Sequence, residues 1–247
     1  MAEQQKQTFL EHLEELRKRL IISLIAVGIG FGISYIFSKQ IFQFLTIPLR
    51  KSLPPGATMI FTSLPEAFFT YLKVALLAGL FVASPVVLHQ IWLFVAPALY
   101  SHEKRYVIPF VIVSSLLFVS GAAFGYLVVF PWGFKFFLSF ATDYIEPAPK
   151  LKEYLSFCSV LLITFGLVFE LPLFITLLTK LGVVDAETLS RKRRYVILVI
   201  FMVAAVLTPP DVVTQLMMAG PLLILYESSI WIARFIGKKK AKEGVTE

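Results

Sequence analysis

Long apolar runs alternate along the chain with short charged segments, and the gaps between charges mark out the elements. Leu20–Ser38 is a first uncharged run of 19 residues. A second extends from about Ala67 to Val95, with Lys73 near its start and Pro85 as an expected kink. Tyr106–Phe134 carries no charge, and Tyr154–Thr179 carries a single one, Glu170. Tyr195–Pro210 has only 16 residues, and Val212–Ala233 follows it, interrupted by Glu227. A helix rises about 1.5 Å per residue, so a hydrocarbon core of roughly 30 Å takes about 20 residues. The pattern predicts an all-α membrane protein with six transmembrane helices, the fifth and sixth short. The spans fall at about 20–38, 67–95, 106–134, 154–179, 195–210 and 212–233, within a single integral membrane domain of residues 1–247.

Composition agrees, at 57% hydrophobic and 16% charged, against about 45–50% and 25% in soluble domains. The first run is longer than a signal-peptide core of about 7–15 residues and lacks an A-x-A site, so it reads as a retained helix. Six spans put both termini on one side. That side holds four Lys and Arg in the N-terminus, two in the 96–105 loop, five in the 180–194 loop and five in the tail. The other holds six: Lys39, Arg50, Lys51, Lys135, Lys150 and Lys152. The positive-inside rule therefore predicts cytoplasmic N- and C-termini. The net charge of +7 is a topology signal in this arrangement, and no nucleic-acid partner is expected.

The loops carry some structure of their own. "QIFQFLTIPL" alternates bulky apolar with polar residues before "LPPG" forces a turn, so residues 39–66 are expected to lie on the outer surface as a cap. The fifth span reaches only about 24 Å. Either a tilted bundle accommodates it or the bilayer thins around the hairpin closed by "TPPD" (208–211).

Catalytic chemistry is missing. His12, His89 and His102 have no metal-binding spacing, the single Cys158 allows no disulfide, and no nucleotide loop or hydrolase motif occurs. "GIGFG" (28–32) and "GAAFG" (121–125) lie in apolar runs, where glycine lets helices approach. No enzyme activity, cofactor or metal is expected. The remaining classes are transporter, channel and receptor.

Two mixed-charge stretches mark the cytoplasmic side. In "FLEHLEELRKRL" (9–20), Leu13, Leu16 and Leu20 form an apolar stripe, and Glu14 and Glu15 precede Lys18 and Arg19 by four residues. One reading is an interfacial helix with internal ion pairs; the other is that Glu15 faces a cationic ligand. In "IWLFVAPALYSHEKR" (91–105), Pro97 ends a helix and Glu103 sits beside Lys104 and Arg105.

Together, "HLEELRKRL", "PVVLHQIWLFVAPALYSHEKR", "FGLVFELP" and "LTPPDVVTQ" resemble the signatures of TatC, the core membrane component of twin-arginine (Sec-independent) protein translocases. The likeness covers nearly the whole chain, with no marked departure in these segments. It implies a receptor in the cytoplasmic (inner) membrane of a prokaryote that binds the twin-arginine signal peptides of folded cargo. It also implies use of the proton motive force, self-association, lipid surroundings, and recruitment of TatA-type and TatB-type single-span subunits beside the fifth helix. Carried over by motif, the signal-peptide surface comprises Glu15, Arg17, Phe94, Pro97, Leu99 and Glu103. Arginine's planar fork pairs bidentately with carboxylates and lysine's ammonium does not, which suits two carboxylates on adjacent segments.

Glu170 is a separate expectation, because an ionisable group within a span is costly and commonly functional. With Thr208 and Gln215 it could meet a polar residue of a partner's span, or it could bond internally to a neighbouring helix. The competing function is a proton-coupled small-solute transporter using Glu170, which would call for matched helix interruptions that the sequence does not show. A passive scaffold is the third reading.

Overall fold

The structure, a computed structural model, describes the backbone of residues 2–95, 107–142, 144–207 and 212–243 and the side chains of 13–94, 108–142, 144–206 and 212–235. Among the described residues every regular element is helical: α1 Ala2–Ile36, α2 Ser38–Ser52, α3 Glu66–Val95, α4 Val107–Phe124, α5 Phe130–Leu138, α6 Leu151–Phe169, α7 Leu171–Lys180, α8 Ala186–Arg191, α9 Arg193–Leu207 and α10 Val212–Glu243. Five stretches are long and apolar enough to cross a membrane: Leu13–Ile36, Glu66–Phe94, Ile108–Leu138, Leu151–Lys180 and Val212–Phe235. Helix α9, at 15 residues, extends only about 22 Å and falls short of them.

The charged N-terminal stretch leads into the first apolar run without a break, as one helix, α1. Several expectations need correcting. The 39–66 segment, expected as a surface cap with no helix assigned, contains one: residues 38–52 form α2, which buries Leu45, Thr46, Pro48 and Leu49 at helical spacing. The sixth span is not short, since α10 is continuous over 32 residues. Glu227 does not interrupt it, because Arg193 of α9 lies 2.8 Å from its carboxylate and balances the charge.

Prolines set the irregularities of the other spans. Pro85 leaves the Phe81 carbonyl without its helical donor, and the Ser84 hydroxyl donates to that carbonyl at 2.7 Å. The helix therefore continues through Pro85. Between α4 and α5, just ahead of Pro131, Gly125–Val129 widens into a π turn whose closing bond runs from Phe130 N–H to the Gly125 carbonyl. At the α6–α7 junction, just ahead of Pro172, the backbone tightens instead: Glu170 N–H turns back to Leu167 O, three residues earlier, at 3.1 Å.

The chain divides into two compact units, Met1–Leu116 with Ala148–Ser156, and Leu117–Pro147 with Phe157–Glu247. In the first, α1 packs along α3 so closely that a Cβ on Gly30 would sit 2.5 Å from the Gly79 carbonyl oxygen. The Tyr154 hydroxyl donates to Leu45 O at 2.6 Å, fastening the start of α6 to α2. In the second, Phe130, Phe134 and Phe157 form an aromatic cluster. There Gly121 meets the Phe165 backbone with no room for a Cβ. Helix approach thus rests on Gly30 in the first glycine pattern, where Gly28 and Gly32 face open space, and on Gly121 and Gly125 in the second.

Candidate functional site

The first group of expected residues centres on α1. Its single-turn spacing brings Glu15 and Arg19 together, and Arg19 Nη2 donates to Glu15 Oε1 at 2.9 Å. Arg19 reaches further: Nη1 donates to Gln90 Oε1 of α3 at 3.2 Å, while Nε is buried without a hydrogen-bond partner among the described residues. Gln90 itself is buried. Phe94, half-buried, stands one turn beyond Gln90 on the same face of α3. Arg17 is exposed, and with Glu14, Glu15, Lys18, Arg19, Ile21 and Ile22 it lines an open concavity of about 700 Å³. Glu15, Arg17 and Phe94 are thus placed on two packed helices of one unit. Pro97, Leu99 and Glu103 lie outside the described residues.

Both charges of the Glu15–Arg19 pair keep partial access to water, at 32% and 24% side-chain exposure. Such a pair stabilises weakly, by roughly 0–1 kcal/mol. A second guanidinium can therefore compete for Glu15 at small cost. The roles of Arg19 and Gln90 were not among the expected ones. Arg19 was visible as an i, i+4 partner, whereas Gln90 lies 71 residues away in sequence.

The second group is more dispersed. Glu170 is half-buried at the junction of α6 and α7, and its carbonyl accepts from Phe174 N–H at 2.9 Å. Beside it, Thr164, Leu167, Val168 and Leu171 form one wall of an apolar groove of about 580 Å³. Met202, Val203 and Val206 of α9 form the other wall. Glu170 does not line this groove; it sits one residue around the helix from Leu171. The Gln215 amide donates to Phe201 O at 3.0 Å and so ties α10 to α9. Thr208 lies outside the described residues.

The end of the second unit that carries α8 is fastened by side chains that sequence reading left out. Arg193 Nη2 donates to Glu227 Oε2 at 2.9 Å, and the buried Tyr226 donates its hydroxyl to Leu189 O at 2.9 Å. Asp185 caps α8 by accepting from Thr188 N–H. That bond, more than any other influence, holds the Asp185 carboxyl below the ordinary aspartate range.

Another carboxylate was also missed. Glu66 is buried, and its Oε2 accepts from Thr62 N at 2.7 Å, Thr62 Oγ1 at 3.2 Å and Ser63 N at 3.3 Å. Its Oε1 accepts from Lys152 N at 3.0 Å, across 86 residues of sequence. Next to this staple, Ile60 N donates to Pro149 O and Leu151 N to Ile60 O, each at 3.0 Å. The signal was available: "SLPE" (63–66) has the sequence pattern of a capping box, of which the structure shows the return bond from Ser63 N–H to Glu66 Oε2.

Known proteins agree with this architecture. Residues 11–221 match the family model described as Sec-independent protein translocase protein (TatC). A Sec-independent protein translocase protein TatC from Desulforapulum autotrophicum is 55% identical, over 96% of this chain and 88% of its own length. The protein of the same description from Escherichia coli strain K12 is 41% identical, over 98% of this chain and 95% of its own. A crystal structure described as the twin arginine translocase receptor TatC superposes with a TM-score of 0.82 at 44% identity, covering 91% of this chain and 98% of that one. With a family model spanning most of its length, near-full-length relatives and a shared helical architecture, the chain belongs to the TatC family of Sec-independent protein translocase proteins.

Proposed function

We propose that the chain is the receptor and core membrane subunit of a twin-arginine translocase. It crosses the cytoplasmic membrane six times as one membrane domain, with α9 as the short fifth span and both termini in the cytoplasm. Twin-arginine signal peptides bind at the surface of Glu15, Arg17, Phe94, Pro97, Leu99 and Glu103. The observation that carries this reading is the Glu15–Arg19–Gln90 arrangement. There a carboxylate in an open concavity already holds a guanidinium, in a pair weak enough to exchange. An incoming arginine that takes over Glu15 replaces like with like. A lysine cannot, because its ammonium lacks the planar fork.

The apolar groove between the fourth and fifth spans supports docking of single-span TatA-type and TatB-type subunits, with Glu170 next to its Leu171 wall to meet a polar group in the partner's span. Thr208 and Gln215 belong to the same neighbourhood in this reading, Gln215 by holding α9 and α10 together. Self-association completes the assembly, and the proton gradient drives it.

The test is binding of a fluorescent twin-arginine peptide to the full chain in nanodiscs, against its twin-lysine version. At least tenfold preference for arginine is expected, and equal affinity overturns the receptor reading. Orientation is tested in a Cys158→Ser background with single cysteines at Ser101, Ser190, Ser52 and Asp143. The first two should label only from the cytoplasm and the last two only from outside.

A further inference from the structure

A concavity of about 260 Å³ lies next to the Glu66 staple, lined by Ser63, Glu66, Phe69, Thr70, Lys73 and Lys152 among others. Its charge is unbalanced. The Glu66 carboxylate is taken up by three backbone N–H groups and a hydroxyl. Among the described residues neither lysine has a carboxylate oxygen within 4.0 Å, whereas nearby Lys150 pairs with Glu153 at 3.6 Å. Two ammonium groups and one carboxylate leave a net charge of +1.

The depth of Lys73 is the second observation. It is exposed on α3, seven residues into the span that begins at Glu66, which is about 10 Å along the helix. A lysine at that level is costly facing hydrocarbon and is tolerated when its ammonium reaches toward the interface. The concavity gives it that route, and there it converges with Lys152 from the start of α6. Phe69, half-exposed on the same wall, offers apolar surface below the two charges. The volume is small for a drug-sized ligand but suits a headgroup fragment.

We propose that this concavity binds one anionic glycerophospholipid of the outer leaflet. Its phosphodiester sits between Lys73 and Lys152, and an acyl chain runs down past Phe69. A phosphodiester carries the single negative charge that the site lacks, and a bilayer presents it at this level. Only the naming of the leaflet rests on the proposed orientation. A bound lipid here would brace the junction of the two outer loops that Glu66 staples.

The experiment is native mass spectrometry of the full chain released from detergent containing phosphatidylglycerol, scored for the last retained lipid. Lys73→Gln and Lys152→Gln should each weaken retention about fivefold, and the double variant twentyfold or more, from about 1 kcal/mol per interfacial lysine. Lys73→Arg and Lys152→Arg should retain the lipid, which separates charge from folding. Lys135→Gln, outside the concavity, should behave as wild type. Millimolar inorganic phosphate should fail to displace the lipid; displacement would replace the lipid assignment with a free-anion site. Equal retention by wild type and the double glutamine variant overturns the proposal, as does full retention of uncharged diacylglycerol in place of phosphatidylglycerol.

Discussion

Glu15 and Glu66 are both carboxylates near the end of a membrane-crossing helix, and the structure treats them in opposite ways. Glu15 is part-exposed and meets one flexible guanidinium on its own helix, which is shared with Gln90. Glu66 is buried and meets fixed donors, three of them backbone N–H groups drawn from two distant loops. Backbone donors cannot leave without unfolding the turns that present them, so Glu66 is a fastener. A side-chain partner can swing away, so Glu15 remains free to change partners. Rigidity of the donors thus separates structure from recognition more clearly than charge does.

The largest expected effect is on the fastener. Glu66→Ala leaves several backbone N–H groups without their acceptor at the junction of both loops. Thermal unfolding followed by intrinsic fluorescence should show a fall in Tm of about 5 °C or more. A Tm within a degree of wild type would place Glu66 outside the stabilising framework. On the recognition side, Glu103→Lys should weaken twin-arginine peptide binding roughly ten- to hundredfold, since a charge-assisted pair contributes about 1.5–3 kcal/mol. Its Tm should hold, and a parallel loss of stability would make it a fastener too.

Glu170 belongs to neither type, and two variants place it. Glu170→Gln keeps hydrogen bonding and removes titration, whereas Glu170→Ala removes both. Export of a twin-arginine reporter should remain substantial with Gln and drop further with Ala, while peptide binding survives in each. Equal failure of the two would point to a proton relay. The smallest effect concerns Asp185. Because its carboxyl is held below the ordinary range in the folded chain, its cap bond contributes fully above the unfolded aspartate pKa of about 3.9 and fades as pH falls through the lower folded value. Wild type should therefore exceed Asp185→Ala in Tm at pH 6, and the gap should close toward pH 3.

The long apolar runs were legible because they exceed what any soluble helix needs, and the structure places helices over them. Helix α2 went unassigned because the alternation of "QIFQFL" and the prolines of the loop pointed only to a surface cap, although Leu45, Pro48 and Leu49 already carried helical spacing. Glu227 was read as an interruption because its partner Arg193 lies 34 residues away, and no local pattern announces such a pair. Gln90 was hidden for the same reason. The Glu66 staple was half legible: its capping-box pattern is local, but the bond to Lys152 N depends on how the loop between α5 and α6 folds back. Of the proposed recognition surface, Glu15 stood out through its spacing to Arg19. The roles of Phe94, Pro97, Leu99 and Glu103 rested on resemblance alone.

The division of labour between the two carboxylates is tested most directly by titrating a labelled twin-arginine peptide onto Glu15→Gln and Glu66→Gln in nanodiscs, with Tm measured on the same samples. Glu15→Gln should lose at least tenfold in affinity and hold its Tm within about 2 °C, since a part-exposed pair contributes little to stability. Glu66→Gln should lose several degrees in Tm while its folded fraction binds the peptide as tightly as wild type. Undiminished binding by Glu15→Gln, or lost binding by fully folded Glu66→Gln, would contradict the account.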